Sequence, residues 1–199
     1  MRLMASRGPY AKGKAKRAEI LDVALEVIAR DGYSGATVKQ LADAVGLSQN
    51  GLLHYFGSKD SLFLEILRRR DELSETQIDF QSPGFTDDLP TRILDAIDDE
   101  TSAPGMAQLA LRVSGEATEP GHLAHDFTRQ RYESVRRLVE EAVVKLQAEG
   151  RMPADADPAA VAAIIFAAWD GLQIQWMYDK TLDVRGRMEY LLRSLGFES

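Results

Sequence analysis

Apolar residues recur every three or four positions along most of the chain, a period that predicts helices, and no convincing strand pattern appears. Over 14–30, Ile20, Val23, Ala24, Val27 and Ile28 form one stripe, closed by Asp31-Gly32. Leu41, Ala42 and Val45 give a short second helix its apolar face, and Leu52 and Phe56 do so for a third. Ser58 caps a fourth with the stripe Leu62, Phe63, Ile66 and Leu67. That helix is predicted to run to about Phe80, with Arg68-Arg69-Arg70 on or near a solvated face, before the breakers Gln81-Ser82-Pro83-Gly84. Short helices follow over 90–100 and from Pro104, then a long one over 122–149 carrying Phe127, Val135, Leu138, Ala142 and Leu146 on one side. The stretch opened by Pro158 is apolar nearly all round, which predicts burial on several sides. Met188, Leu191, Leu192 and Leu195 mark the last helix. The prediction is an all-α chain of nine helices, three in an N-terminal head and six in a body. Its expected divisions are an arm over 1–13, a head over 14–57 and a body over 58–199.

The stretch from Thr37 to Phe56 carries the most specific pattern. Thr37 with Gln40 three residues later makes a capping box, and Ser48 caps the next helix. Gly46 stands between them, flanked by Val45 and Leu47, where the chain turns through a conformation that a side chain disfavours. Ala42 is small where two helices cross closely. Two short helices joined by such a turn form the helix-turn-helix, whose second helix enters the major groove of double-stranded DNA.

The run from Lys16 to Leu67 resembles the DNA-binding domain of the tetracycline-repressor (TetR) family. RAEILDVALEVIARDGYSGATV looks like its first helix and exit, LADAVGLS like its second helix and turn, and LLHYFGSKDSLF like the end of its recognition helix and the start of its fourth. One departure is the middle of the recognition helix: the family often has Thr or Ser followed by Leu-Tyr, and here Gly51, Leu52 and Leu53 stand instead. The resemblance implies a homodimer whose last two helices pair with their copies, a palindromic DNA operator, and release by a small-molecule effector. It also implies phosphate contacts at Thr37, Tyr55 and Lys59. On the exposed side of the third helix, Gln49 and Asn50 can pair with adenine, His54 can donate to guanine or phosphate, Leu53 can meet a thymine methyl, and Gly51 lies beside them. The alternative for Tyr55 is a half-buried core aromatic.

Charge sharpens this picture. The chain of 199 residues has a formal net charge of −7, which by itself argues against DNA. Residues 1–70, however, hold 12 Lys and Arg against 7 Asp and Glu, while residues 71–199 hold 12 against 24. A basic head on an acidic body aims one end at phosphate. There are no cysteines, which excludes disulfides and thiolate metal sites. The polar, basic start is no secretory signal, and no apolar run approaches the roughly 18 residues of a membrane span, so a cytoplasmic location is expected.

The body offers weaker signals. Phe80, Phe85, Met106, Phe127, Tyr132, Trp169, Trp176 and Met177 can line a cavity or simply pack a core. Arg112, Asp170 and Gln173 interrupt apolar stretches, and Arg112 has Glu116 four residues on as an ordinary helix-surface partner. The candidate ligand set is Met106, Arg112, Phe127, Tyr132, Trp169, Gln173 and Trp176, with the face of the long helix opposite the eighth helix. That set suits a mostly apolar effector. His122 and His125 have a spacing that can hold a metal but lack a third ligand, so no metal or cofactor is assigned. No nucleophile–base motif or phosphate loop points to an enzyme. The expected function is a sequence-specific regulator, most simply a repressor; the rival is a ligand-independent DNA-organising protein.

Overall fold

Nine helices form the described part of the computed structural model, which covers residues 9–33, 35–77 and 88–197, and no strand occurs among those residues. The head begins with α1 (Pro9–Asp31), α2 (Val38–Ala44) and α3 (Gln49–Phe56). Then come α4 (Lys59–Gln77), α5 (Leu89–Ser102), α6 (Pro104–Glu116), α7 (His125–Ala148), α8 (Pro158–Tyr178) and α9 (Val184–Ser194). α1 starts earlier than its apolar stripe suggests, because Pro9 needs no helical N–H and its fixed φ suits a first turn. Residues 9–13, expected in the arm, are therefore helical; residues 1–8 of the arm, the end of α4 expected at Phe80, and Phe85 lie outside the described residues.

Two apolar cores organise the chain. The first joins Ile20, Ala24 and Ile28 of α1, Leu41 and Ala42 of α2, and Leu52 and Phe56 of α3. It does not stop at residue 57: Leu62, Phe63 and Ile66 of α4 and Met106, Leu109 and Val113 of α6 belong to it. The head is thus welded to the body through α4 and α6. The second core joins Leu94 and Ile97 of α5, Val143 and Leu146 of α7, Ile165 of α8, and Met188 and Leu192 of α9.

If the last helix pairs with its copy, it does not do so through Leu192 and Met188 of its apolar stripe. They are 2% and 0% exposed within the single chain, so they pack inward against α5 and α8. On these two helices the exposed large apolar side chains are instead Ile164, Ile174 and Tyr178 of α8 and Tyr190 of α9. The expectation that α8 is buried on several sides is not met within one chain, since both isoleucines stay nearly half exposed. α8 is also the one described helix long and apolar enough, by composition, to cross a membrane; it packs along α7 and against α6 and α9.

Candidate DNA-reading surface and body clefts

The helix-turn-helix geometry follows from its caps. Thr37 Oγ1 accepts from the backbone N–H of Gln40 at 3.2 Å, and Gln40 Oε1 accepts from the N–H of Thr37 at 3.0 Å, so the capping box is closed. Ser48 Oγ accepts from the N–H of Gly51 at 3.0 Å and starts α3. Between them Gly46 adopts φ 69°, a left-handed conformation costly for any side chain with a Cβ. The corner is held by Leu47 N–H donating to Ala42 O at 2.9 Å. Leu52 and Phe56 are buried beneath α3, so the opposite side of that helix faces outward.

On that side Gln49, Asn50 and His54 are exposed, while Gly51, Leu53 and Tyr55 are half-buried. Tyr55 is half-buried and packs against the head core, which fits both readings of it. Thr37 is exposed, but its hydroxyl already donates to Gln40 Oε1 at 2.7 Å, leaving it only lone pairs for further bonding. Lys59 is exposed at the start of α4, beside Ser58, whose Oγ accepts from Ser61 N–H at 3.0 Å. Its Nζ lies 5.6 Å from the Phe63 ring centroid, a cation–π contact that orients the stem. Lys39, missed by the motif reading, is exposed on the first turn of α2 and has no ion-pair partner among the described residues. Its signal was available: it is a cation two residues after the cap of the helix that crosses the DNA backbone.

Between the two cores lies a layer of charges that the sequence pattern concealed. Arg70 Nη2 on α4 meets Glu100 Oε1 on α5 at 2.8 Å, and Glu100 is only 6% exposed. The next residue, Asp71, meets Arg131 of α7 at 3.1 Å. Tyr132 donates to Asp170 Oδ2 of α8 at 2.5 Å. Burial, reinforced by the bond to Asp170, pushes the Tyr132 phenol up to about 12. Burial also raises Asp71 and Asp170, against the pull of Arg131 on each. The arginine run read as solvated is thus tied down: Arg69 pairs with Asp22 of α1 at 2.7 Å and Arg70 with Glu100. The overlooked signal was Glu100 itself, seven residues after Ile93 and three after Ile97 on the apolar stripe of α5.

Two narrow clefts flank this layer. One, partly open to solvent, is bounded by Glu100, Ile97, Trp169, Gln173, Trp176 and Val184 among others. The other is bounded by Asp71, Ser114, Phe127 and Arg131 among others. The structure therefore splits the expected ligand set. Trp169, Gln173 and Trp176 share the first cleft, Phe127 lines the second, and Tyr132 stands between α7 and α8, bonded to Asp170. Met106 and Arg112 line neither. Met106 is buried in the head core. Arg112 is on the outer side of α6, bonded to Glu116 at 2.9 Å and 5.4 Å from the Tyr33 ring centroid. His122 and His125 serve the α6–α7 turn: His122 Nδ1 accepts from Ala124 N–H at 3.2 Å, and His125 Nδ1 bonds Ala117 O at 2.8 Å.

Against known families, residues 20–66 match the model for bacterial regulatory proteins of the tetR family, and residues 87–195 match that for the C-terminal part of BetI-type transcriptional repressors. The chain belongs to the TetR family. The repressor KstR2 of Rhodococcus jostii is 30% identical over 109 residues, which are 55% of this chain and 46% of that protein. The chain thus spans under half the length of this curated TetR relative. Among solved structures, a TetR-family regulator from Agrobacterium tumefaciens superposes with a TM-score of 0.70 at 18% identity, over 92% of this chain and 99% of the other. A Saccharomonospora viridis protein crystallised with choline gives 0.69 at 24% identity, over 91% and 94%. At these identities both show the shared TetR fold.

Proposed function

We propose that this TetR-family protein is a cytoplasmic, dimeric repressor that reads a palindromic operator through α3 and leaves it when a small molecule occupies the body. It performs no catalysis. The observation that carries this reading is the continuity of the head core into α4 and α6: α6 borders both body clefts and α4 the second. A ligand that prefers one spacing of the two heads shifts the population between bound and free states. The exposed strip of Ile164, Ile174, Tyr178 and Tyr190 supports dimerisation through α8 and α9, since an apolar strip on two adjacent helices suits a self-complementary contact. Thr37, Tyr55, Lys59 and Lys39 serve phosphate, while Gln49, Asn50, Gly51, Leu53 and His54 face base edges.

Mapping of bound sites across the genome tests the reading, together with Gln49→Ala. A few sharp palindromic sites are expected, and Gln49→Ala should cost about 1–3 kcal/mol on the best of them and relax one base position per half-site. Broad coverage without a palindrome would mark the protein as a DNA organiser instead.

A further inference from the structure

Arg112, an expected ligand residue, faces the head instead. Its Nε donates to Glu116 Oε1 at 2.9 Å, and its guanidinium carbon lies 5.4 Å from the ring centroid of Tyr33. A cation within about 6 Å of an aromatic ring is attracted by the ring quadrupole. Tyr33 stands just after α1, in the connection that leads to α2. Its ring meets that of Phe63 on α4 edge to face, with centroids 5.4 Å apart and planes at 60°. The Phe63 ring in turn carries Lys59, whose Nζ is 5.6 Å from its centroid. Arg112, Tyr33, Phe63 and Lys59 thus form one unbroken stack from the body to the start of α4. The middle of the stack has little freedom. Phe63 is only 4% exposed, and the backbone of Tyr33 is pressed by Gly105, two turns before Arg112 on α6. The bond to Glu116 raises the Arg112 guanidinium above its ordinary value, and Asp60 adds a small pull in the same direction. Asp60 is the residue after Lys59, so Arg112 of the body looks toward the start of α4.

We propose that Arg112 is a positioning residue for DNA binding: acting through Tyr33 and Phe63, it sets where Lys59 presents its charge at the start of α4. This rests on the reading of Lys59 as a phosphate contact and adds the residue that orients it. The physical reason is preorganisation. A lysine is a point charge on a flexible four-carbon stem, and it loses rotamer freedom when it docks on a phosphate. A stem already drawn to a fixed ring has lost part of that freedom before DNA arrives. The Phe63 ring stays fixed only while Tyr33 is held against it, and Arg112 holds Tyr33 from the side opposite α4. Loss of Arg112 lowers the fraction of free protein with Lys59 in place, and apparent affinity falls by that fraction.

The test uses the full chain and a fluorescently labelled duplex that the protein itself selects from a random pool, with binding read by anisotropy. Arg112→Gln should weaken binding about two- to fivefold per half-site, the worth of one exposed cation–π contact. Arg112→Lys should recover most of that loss, because it keeps a cation for the ring. Tyr33→Leu should cost at least as much as Arg112→Gln, and adding Arg112→Gln to it should cost nothing further. Arg112→Gln should also cost nothing further in a Lys59→Ala background. Circular dichroism and thermal midpoints confirm that each variant is folded at the temperature of the assay. A purely structural stack predicts the same loss from Arg112→Gln with or without Lys59, which would overturn the proposal. A charge on Arg112 acting on DNA through space predicts the full loss in the Tyr33→Leu background, which would overturn it as well. Lys59→Ala binding as tightly as the unaltered protein would refute the phosphate role of Lys59 itself. A weakened Lys59→Ala in which Arg112→Gln still takes its full share would keep that role and refute only the positioning by Arg112.

Discussion

Gly105 gives the sharpest test of how the body holds the head. It is the second residue of α6, and an added Cβ would lie 2.2 Å from the carbonyl oxygen of Ile28, 2.7 Å from Gly32 Cα and 2.9 Å from Tyr33 N. All three are backbone atoms at the end of α1, and Ile28 O is already engaged, accepting from Gly32 N–H at 3.0 Å. No side chain can swing aside. Gly105→Ala must therefore push α6 and α1 apart by about 1 Å to restore ordinary contact, and overpacking of this kind costs about 1–3 kcal/mol. Helix propensity acts the other way, since alanine gains about 1 kcal/mol over glycine in a helix. Because its partners are rigid backbone, the clash falls in the upper part of that range, about 2–3 kcal/mol, leaving a net loss of about 1–2 kcal/mol. Gly115→Ala in the same helix is the control: nothing lies within 4 Å of its added Cβ, so only the propensity gain applies. In thermal unfolding, Gly105→Ala should melt roughly 2–8 °C lower and Gly115→Ala a few degrees higher, at about 2–4 °C per kcal/mol for a chain of this size. Operator affinity should also fall in Gly105→Ala, because α1 carries the head. A Gly105→Ala protein as stable as the unaltered one would show that α6 does not press on α1.

Lys59→Ala should weaken specific and nonspecific DNA binding alike and lower the slope of log affinity against log salt by about one unit; an unchanged slope would remove Lys59 from the phosphate contacts. Ile174→Glu should yield a folded monomer in sedimentation, because its side chain lies on the exposed strip, whereas Leu192→Glu should lose helical signal altogether by placing a charge in the second core. A folded Leu192→Glu monomer would return that residue to the interface. The Tyr132 phenol, raised in the folded chain from 10.0 to about 12, binds its proton more tightly folded than unfolded. Its contribution to stability is full below about pH 10 and is lost as pH rises through about 12. Urea midpoints should therefore fall less over that interval in Tyr132→Phe than in the unaltered protein, and identical pH curves would count against burial of the phenol.

The helix-turn-helix could be read from the residues because everything that defines it is local. Thr37 with Gln40, Ser48 with Gly51, and Gly46 at φ 69° each settle their geometry within three residues, so the caps and the corner stood where the pattern put them. The number and order of the helices were legible for the same reason, since a stripe of period 3.6 and a breaker are local signals. Which face of a helix meets which partner is not local. The stripe of α9 says that Leu192 is buried, not whether its neighbours belong to the same chain or to a second copy, and only the packing of α5 and α8 onto it decided that. In the same way, Arg70 and Glu100 are 30 residues apart and look like ordinary surface charges until α4 and α5 bring them to 2.8 Å. Charge pairs and clefts depend on distances between helices far apart in sequence, and those distances are set by the tertiary fold as a whole.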